Sequence, residues 1–252
     1  MTLCVGAELY YCMGWCKNRT CCAGGTLKAR LVRSIINLFF ERTKTNGVMM
    51  SYVFAEAFVL MGVLQLALGG MKWLLLPLLP DTRLVYKLFT MVCMMCLTLV
   101  VVAYARYGRR GRFGFLPQPW IRRYTFFTGL FLLLLLLSPA NFTQGLPAVG
   151  VALYGSVVIP LYEELIFKGY LWNRLSDVGY SPRRLILCTA LLFAVWHVGY
   201  MANAIAEGNW FAVISKVMVG LCYGLLLGWV RVKTGNCYST CLVHGLMNLL
   251  SV

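Results

Sequence analysis

The chain has 252 residues, of which 60% are hydrophobic and 12% charged, and its formal net charge is +15. Soluble domains are closer to half apolar and a quarter charged, so this composition excludes an ordinary soluble protein. The basic residues concentrate between apolar runs, where cytoplasmic loops hold them. The positive charge therefore indicates membrane topology, and nucleic acid is not expected as a partner.

Residues 1–50 are predicted to form an N-terminal cytoplasmic or interfacial segment. Between Leu27 and Glu41, apolar side chains share one face of a helical projection and polar ones the other. This pattern is typical of a helix on an anionic membrane surface, and equally of a helix packed against the bundle. Four cysteines precede it without a nearby histidine, and their spacing indicates ordinary thiols rather than zinc ligands: Cys12, Cys16, Cys21 and Cys22.

Apolar runs after residue 50 predict about seven membrane-spanning helices in one domain, residues 51–252. The predicted spans are 52–69, 86–105, 124–138, 147–170, 183–202, 211–230 and 237–252. The pair Gly69-Gly70 is expected to interrupt the first run, leaving a re-entrant or interfacial piece up to Pro80. The predicted fold class is all-α, a polytopic transmembrane bundle.

The loop 106–123 contains six arginines and no acidic residue. The positive-inside rule makes it cytoplasmic, together with the basic segments at 174–184 and 231–233. We therefore predict a multi-pass integral protein of a bacterial-type cytoplasmic membrane, with the lipid bilayer as its permanent partner.

The two histidines of the chain both lie in apolar segments. Phe193 and His197 are four residues apart, as are His244 and Asn248, so each pair shares one face of a helix. Ionisable side chains at membrane depth are costly, and each is a functional-site hypothesis by default.

A third apolar segment contains two adjacent carboxylates, Glu163 and Glu164, and a lysine four residues further on. Glu164 and Lys168 stand in the favourable Glu-to-Lys order and are predicted to pair. Adjacent residues are about 100° apart around a helix, so Glu163 is left to point elsewhere.

These residue types can hydrolyse an amide without a serine or cysteine nucleophile. A carboxylate hydrogen-bonded to an imidazole can take a proton from water, and His and Asn side chains can donate to a developing oxyanion. Two other interpretations remain open. Glu163, His197 and His244 could bind zinc, or the polar side chains could only hold helices together.

The three motifs resemble those of the CPBP family of membrane proteins, the CAAX proteases and bacteriocin-processing enzymes also called the Abi family. That family carries EExxxR, FxxxH and HxxxN or HxxxD in this order, and the resemblance covers roughly residues 145–252. The matching residues are Glu163, Glu164, Lys168, Phe193, His197, His244 and Asn248.

The resemblance implies an intramembrane glutamate-dependent endopeptidase with a metal-free site and no cofactor. Glu163 and His197 would activate the hydrolytic water, and His244 and Asn248 would form the oxyanion hole. The supporting residues would be Glu164, Lys168 and Phe193. The implied substrate is a membrane-associated protein or peptide. Prenyl-protein members of the family cut a C-terminal tripeptide from a lipidated CAAX protein.

Lys168 stands where the family usually has arginine. Lysine keeps the charge but lacks the planar bidentate fork, so a modest weakening of the hold on Glu164 is expected. The site is expected to open toward the cytoplasmic leaflet, near the basic loop after the fourth helix. The alternative function is a non-catalytic membrane partner or self-immunity protein that keeps the motifs as structure.

Overall fold

The computed structural model describes residues 25–107 and 114–251. In these ranges every regular element is helical, which confirms the all-α class. The chain divides into two compact units, Met1–Met49 and Met50–Val252, and the second contains every candidate site residue. The predicted amphipathic face at 27–41 and the cysteine cluster at 12–22 concern side chains outside the described residues, so both stay predictions.

Seven main helices occur in the described ranges and are labelled in chain order. They are α1 Gly25–Leu75, α2 Arg83–Tyr107, α3 Arg122–Leu136, α4 Leu146–Asp177, α5 Pro182–Trp196, α6 Trp210–Thr234 and α7 Cys237–Leu250. Short helical turns connect some of them, at Leu76–Leu78, Pro139–Gln144, His197–Met201 and Ala202–Ala206.

Six helical segments of the described residues are long and apolar enough to cross a membrane. They are Met49–Leu78, Arg83–Arg106, Arg122–Thr143, Leu146–Asp177, Pro182–Ala206 and Trp210–Thr234. The helix α7 has 14 residues, about 21 Å at 1.5 Å per residue, which is shorter than the ~30 Å apolar core of a bilayer. The bundle of about seven helices is confirmed, and six of its segments meet the length and composition of a membrane span.

The expected interruption at Gly69-Gly70 is wrong, because α1 continues through both glycines to Leu75. An apolar surrounding offers the backbone no other hydrogen-bond partners, so glycine is tolerated there without breaking a helix. The helix gives way to a single 3-10 turn at Leu76–Leu78, where Pro77 removes a backbone donor.

The fourth helix is the centre of the bundle. Every residue of the segment Leu165–Leu171 is buried, and the segment packs against stripes of apolar side chains from α1 and α2. The stripe on α1 follows the helical repeat with Ala57, Met61, Leu64 and Leu68. Because this segment of α4 is enclosed on all sides, its polar side chains must find partners inside the protein.

Two stretches of α4 have π-type hydrogen bonding, Tyr154–Val158 and Leu165–Leu171. The first has an identifiable cause in Pro160, which has no N–H to donate. The N–H of Ile159 bonds to the carbonyl of Tyr154, five residues back. Consequently the carbonyl of Gly155 receives no donor from Ile159 or Pro160, and another part of the protein must supply one.

Small residues allow α5 and α6 to pack closely. Gly220, Gly224 and Gly228 recur every four residues along one face of α6. A Cβ on Gly224 would lie 2.7 Å from the Cα of Ala190, and a Cβ on Gly228 would lie 3.2 Å from the Cα of Ile186. This spacing is the small-xxx-small pattern of helix pairs in membranes, and it fixes α5 against α6 beside the predicted site.

Candidate active site

The Glu163 carboxylate is held through one of its two oxygens. Its side chain is buried, at 2% exposure. Oε1 accepts hydrogen bonds from Trp196 Nε1 at 3.2 Å and from the Tyr200 hydroxyl at 3.3 Å. The other oxygen, Oε2, lies 3.9 Å from His244 Nε2, too far for a direct hydrogen bond. The carboxylate is thus oriented by α5 and the turn after it, and Oε2 makes no direct hydrogen bond to His244.

The adjacent carboxylate, Glu164, binds His244 directly. Nδ1 of His244 lies 3.0 Å from Oε1 of Glu164, and both side chains are buried. Since a carboxylate only accepts, Nδ1 carries the proton of this hydrogen bond. The second oxygen, Oε2 of Glu164, has no hydrogen-bond partner among the described residues. The imidazole of His244 therefore lies between the two glutamates.

The imidazole of His197 is fixed by the backbone of the preceding helix, α5. Nδ1 lies 2.7 Å from the carbonyl oxygen of Phe193. Because a carbonyl can only accept, Nδ1–H donates, and Nε2 of the neutral ring carries the lone pair. A Cβ on Gly220 would come within 2.9 Å of Nδ1, so glycine at this position of α6 makes room for the ring.

The aromatic ring of Phe193 contacts both imidazoles. Its centroid lies 4.7 Å from that of His197 and 6.0 Å from that of His244, each in an edge-to-face arrangement. A third edge-to-face contact, to Phe167 at 5.2 Å, anchors the ring to α4. Such contacts restrict rotation of the imidazoles, which gives Phe193 a positioning role.

The last motif residue, Asn248, binds the carbonyl that Pro160 leaves without a helical donor. Its Nδ2 donates to the oxygen of Gly155 at 2.8 Å. This hydrogen bond uses one of the two amide hydrogens and ties α7 to the π-type turn of α4. Asn248 therefore has an N–H group left to offer to a ligand.

Glu163, His197, His244 and Asn248 all line one cavity of about 770 Å³. Its walls come from α1, α2, α4, α6, α7 and the turns that follow α5, and the exposed residues Ala202 and Asn203 lie at its rim. The structure thus brings together four side chains that are up to 85 positions apart in the chain. A cavity of this size can hold a peptide segment or a drug-sized ligand.

A family comparison covers this part of the chain. Residues 145–250 match the family described as type II CAAX prenyl endopeptidase Rce1-like. This part of the chain is therefore similar to that family, and we call it the Rce1-like domain. The matched range begins at the amino end of α4 and contains every candidate catalytic residue. The family to which it is similar is, by its description, one of prenyl endopeptidases.

A curated relative extends the comparison to bacteria. The UPF0177 protein YxdF of Lactococcus lactis subsp. lactis (strain IL1403) is 24% identical over 93 residues, which are 37% of this chain and 43% of that protein. The aligned part thus spans less than half of the relative's length. No solved structure matches the chain.

The cavity lies toward the end of the bundle opposite to the basic loops. On α6, Lys216 lines the cavity, and Arg231 lies fifteen residues further along, on the order of 22 Å away. On α5, the basic residues are at the start of the helix, whereas Asn203 at the cavity rim follows its end. The cavity therefore lies away from the basic loop near which its opening was expected, and the predicted opening toward the cytoplasmic leaflet stays a prediction.

The basic end of the site is closed by packed side chains. Arg231 Nε donates to the carbonyl of Lys168 at 3.0 Å, and its guanidinium lies over the Trp172 ring. Cys237, which is fully buried, places its Sγ 3.2 Å from the carbonyl of Glu164. These contacts pack the space between the two glutamates and the basic end of the helices.

The predicted ion pair between Glu164 and Lys168 is not formed within 4 Å. Lys168 is fully buried, and its Nζ donates instead to Thr189 Oγ1 at 2.8 Å and to the Gly224 carbonyl at 3.0 Å. Meanwhile Glu164 accepts from His244. The i,i+4 rule describes a helix in water, and here neighbouring helices provide closer partners for both groups.

The third interpretation of the sequence was a metal site. In the described part of the chain, no group of three or more His, Cys, Asp or Glu side chains has an arrangement that could hold a metal ion. The ligand set proposed for zinc was Glu163, His197 and His244, and the geometry does not support it.

Sequence reasoning missed two residues that bind Glu163. Trp196 and Tyr200 flank His197 and donate to the same carboxylate oxygen. Trp196 directly precedes the histidine, and Tyr200 follows it within one helical turn. Each carries a polar hydrogen on an aromatic side chain. That combination next to a candidate catalytic histidine was the available signal.

We expect Lys168→Arg to destabilise this domain rather than restore a stronger site. The lysine is fully buried, and its Nζ donates to the carbonyl of Gly224, where α5 and α6 pack closely. Overpacking of this kind costs about 1–3 kcal/mol. Thermal unfolding in detergent measures the effect, with Lys233→Arg at an exposed site of α6 as the matched control. A higher Tm for Lys168→Arg would contradict this reading.

Proposed function

We propose that the Rce1-like domain hydrolyses a peptide bond of a membrane-associated protein or peptide, with water activated by Glu163. The observation that carries this proposal is the asymmetric hold on Glu163. Two donors fix Oε1, whereas Oε2 lies 3.9 Å from the His244 imidazole, and the residue lines the cavity. A water molecule bound to Oε2 would lie next to the Glu163 carboxylate, which can act as its general base in an enclosed site.

In this proposal His197 assists the base. Its Nδ1–H is committed to the Phe193 carbonyl, so Nε2 is the nitrogen that can accept a proton from the water or pass one to the leaving amine. An imidazole with one nitrogen held by a fixed acceptor is the arrangement that general acid–base catalysis requires.

His244 and Asn248 are proposed to bind the oxyanion of the tetrahedral intermediate. Since Nδ1 of His244 already bonds Glu164, donation from Nε2 requires an imidazolium, and the two nearby carboxylates would stabilise that cation. Asn248 would add its second amide hydrogen, because the first is used on Gly155. Preorganised donors of this kind are worth about 10²–10³-fold in rate each.

The proposed substrate is a membrane-bound protein or peptide, with a prenylated CAAX protein as the form that the family description suggests. The basic loops are proposed to face the cytoplasm of a bacterial-type membrane, following the positive-inside rule. The cavity of the Rce1-like domain would then lie toward the opposite side of that membrane.

We expect His197→Ala to abolish cleavage while membrane insertion and expression persist, because the substitution removes the proposed proton acceptor and shortens a single side chain just after the end of α5. The measurement is comparative proteomics of membranes that contain either form, in search of peptide termini that depend on His197. The control is Leu187→Ala, an exposed position of the same helix.

Peptide termini unchanged between the wild-type and His197→Ala forms would argue against hydrolysis at this site. If biological output also followed protein abundance alone, the non-catalytic interpretation as a partner or immunity protein would be favoured. In that case the motifs would serve only to hold the helices together.

A further inference from the structure

Two lysines line the cavity above the catalytic residues. Lys72 of α1 and Lys216 of α6 both contribute to its wall, and Glu163 is the sole acidic residue among the described lining residues. The space between the outer rim and the glutamate is therefore bordered by positive charge. Cations in a cavity with low-dielectric walls raise the local concentration of anionic groups.

Lys216 lies directly above His197 on the cavity wall. It precedes Gly220 by four residues, which is one helical turn, and so shares its face of α6. Gly220 in turn packs against the His197 ring. The lysine side chain is exposed, and it forms no hydrogen bond or ion pair with the part of the chain that the structure describes. Its ammonium group is thus available to a ligand in the cavity.

Lys72 approaches from the opposite helix. It shares a face of α1 with Gln65 and Gly69, which also line the cavity. Gln65 lies deeper, where its Nε2 donates to the Trp196 carbonyl at 3.2 Å. The Lys72 ammonium donates to the Tyr86 hydroxyl at 3.1 Å and lies 4.9 Å from the centroid of its ring. This contact holds the charge at the cavity without neutralising it.

We propose that Lys216, together with Lys72, binds a carboxylate group of the peptide that occupies the cavity. This inference rests on the proposed peptidase function and adds a charge preference to it. The carboxylate would lie one to two helical turns above Glu163, either at the free end of the peptide or on an acidic side chain. The two lysines select the substrate, whereas the peptide bond is cleaved deeper in the cavity, at Glu163.

Binding can be measured separately from cleavage in the Glu163→Gln form of the full chain, reconstituted in lipid nanodiscs. The probes are short fluorescent apolar peptides that end in a free carboxylate or in an amide, each with Glu or Gln at one inner position. We expect fluorescence anisotropy to give a Kd about tenfold lower for one of the carboxylates than for its neutral counterpart, in line with a charge-assisted hydrogen bond. The pair of peptides whose Kd values differ shows whether the bound carboxylate is the free end of the peptide or the Glu side chain.

Substitutions at Lys216 then test the assignment. Lys216→Met should remove the discrimination, Lys216→Arg should keep it, and Lys216→Glu should favour a peptide with lysine at the same position. Lys233→Met, at the other end of α6, is the control and should change nothing. Equal Kd values for acidic and neutral peptides overturn the inference, and competition by anionic lipid alone would assign the lysines to a lipid phosphate instead. Carboxylate-dependent binding with no cleavage by the wild-type protein would contradict only the proposed function.

Discussion

Replacing Glu163 by glutamine is expected to lower the rate of peptide cleavage by about a thousandfold, within the range of general-base catalysis. The amide has the size of the carboxylate, and its oxygen can still accept from Trp196 and Tyr200. What it loses is the charge that takes a proton from water. The measurement is the turnover of a cleaved peptide by purified protein, combined with Tm to show that the fold is kept.

The matched control for this substitution is Glu207→Gln. Glu207 is exposed and does not line the cavity, so the same chemical change there should leave turnover unaltered. Full activity of the Glu163 variant would remove this carboxylate from the mechanism. Equal losses in both variants would point to a general effect of charge.

The second large effect is expected at Gly245, next to His244 in α7. A Cβ there would overlap the carbonyl oxygen of Ser156 and come within 3.1 Å of the Phe131 ring. Alanine must therefore push α7 away from the π-type turn of α4 and from α3. We expect the free energy of unfolding to fall by about 1–3 kcal/mol, the usual cost of overpacking.

This displacement should also reach the site. His244 adjoins Gly245, and Asn248 is held by Gly155 in the same contact, so Gly245→Ala should reduce turnover together with Tm. Gly129→Ala is the control, because a Cβ on that glycine of α3 meets no atom within 4 Å. A stable and active Gly245 variant would mean that α7 packs more loosely than the contact indicates.

Much of the fold could be predicted from hydrophobic runs, because a segment surrounded by lipid must satisfy its backbone internally and a helix is the simplest way to do so. The runs after residue 50 gave helices near their predicted positions. The Gly69-Gly70 pair did not end α1, since glycine breaks helices mainly where water competes for the backbone.

The residues of the site could be named from motif spacing, but their contacts could not. Spacing of four residues put His197 near Phe193, and the structure adds that the histidine bonds the Phe193 carbonyl. The same rule failed for Glu164 and Lys168, whose partners come from α5, α6 and α7. Spacing describes neighbours along one helix, whereas a buried charge takes the best partner from any helix around it.

The sequence by itself determined that this is a helical membrane protein and that its few ionisable groups in apolar segments form the candidate site, since both follow from the cost of placing polar groups in lipid. Tertiary structure alone decided which groups meet. Pro160 and the glycines of α6 and α7 control how closely the helices approach, and that approach places His244 between two glutamates. It also directs the cavity away from the basic loops, because Arg231 and Cys237 fill the other end.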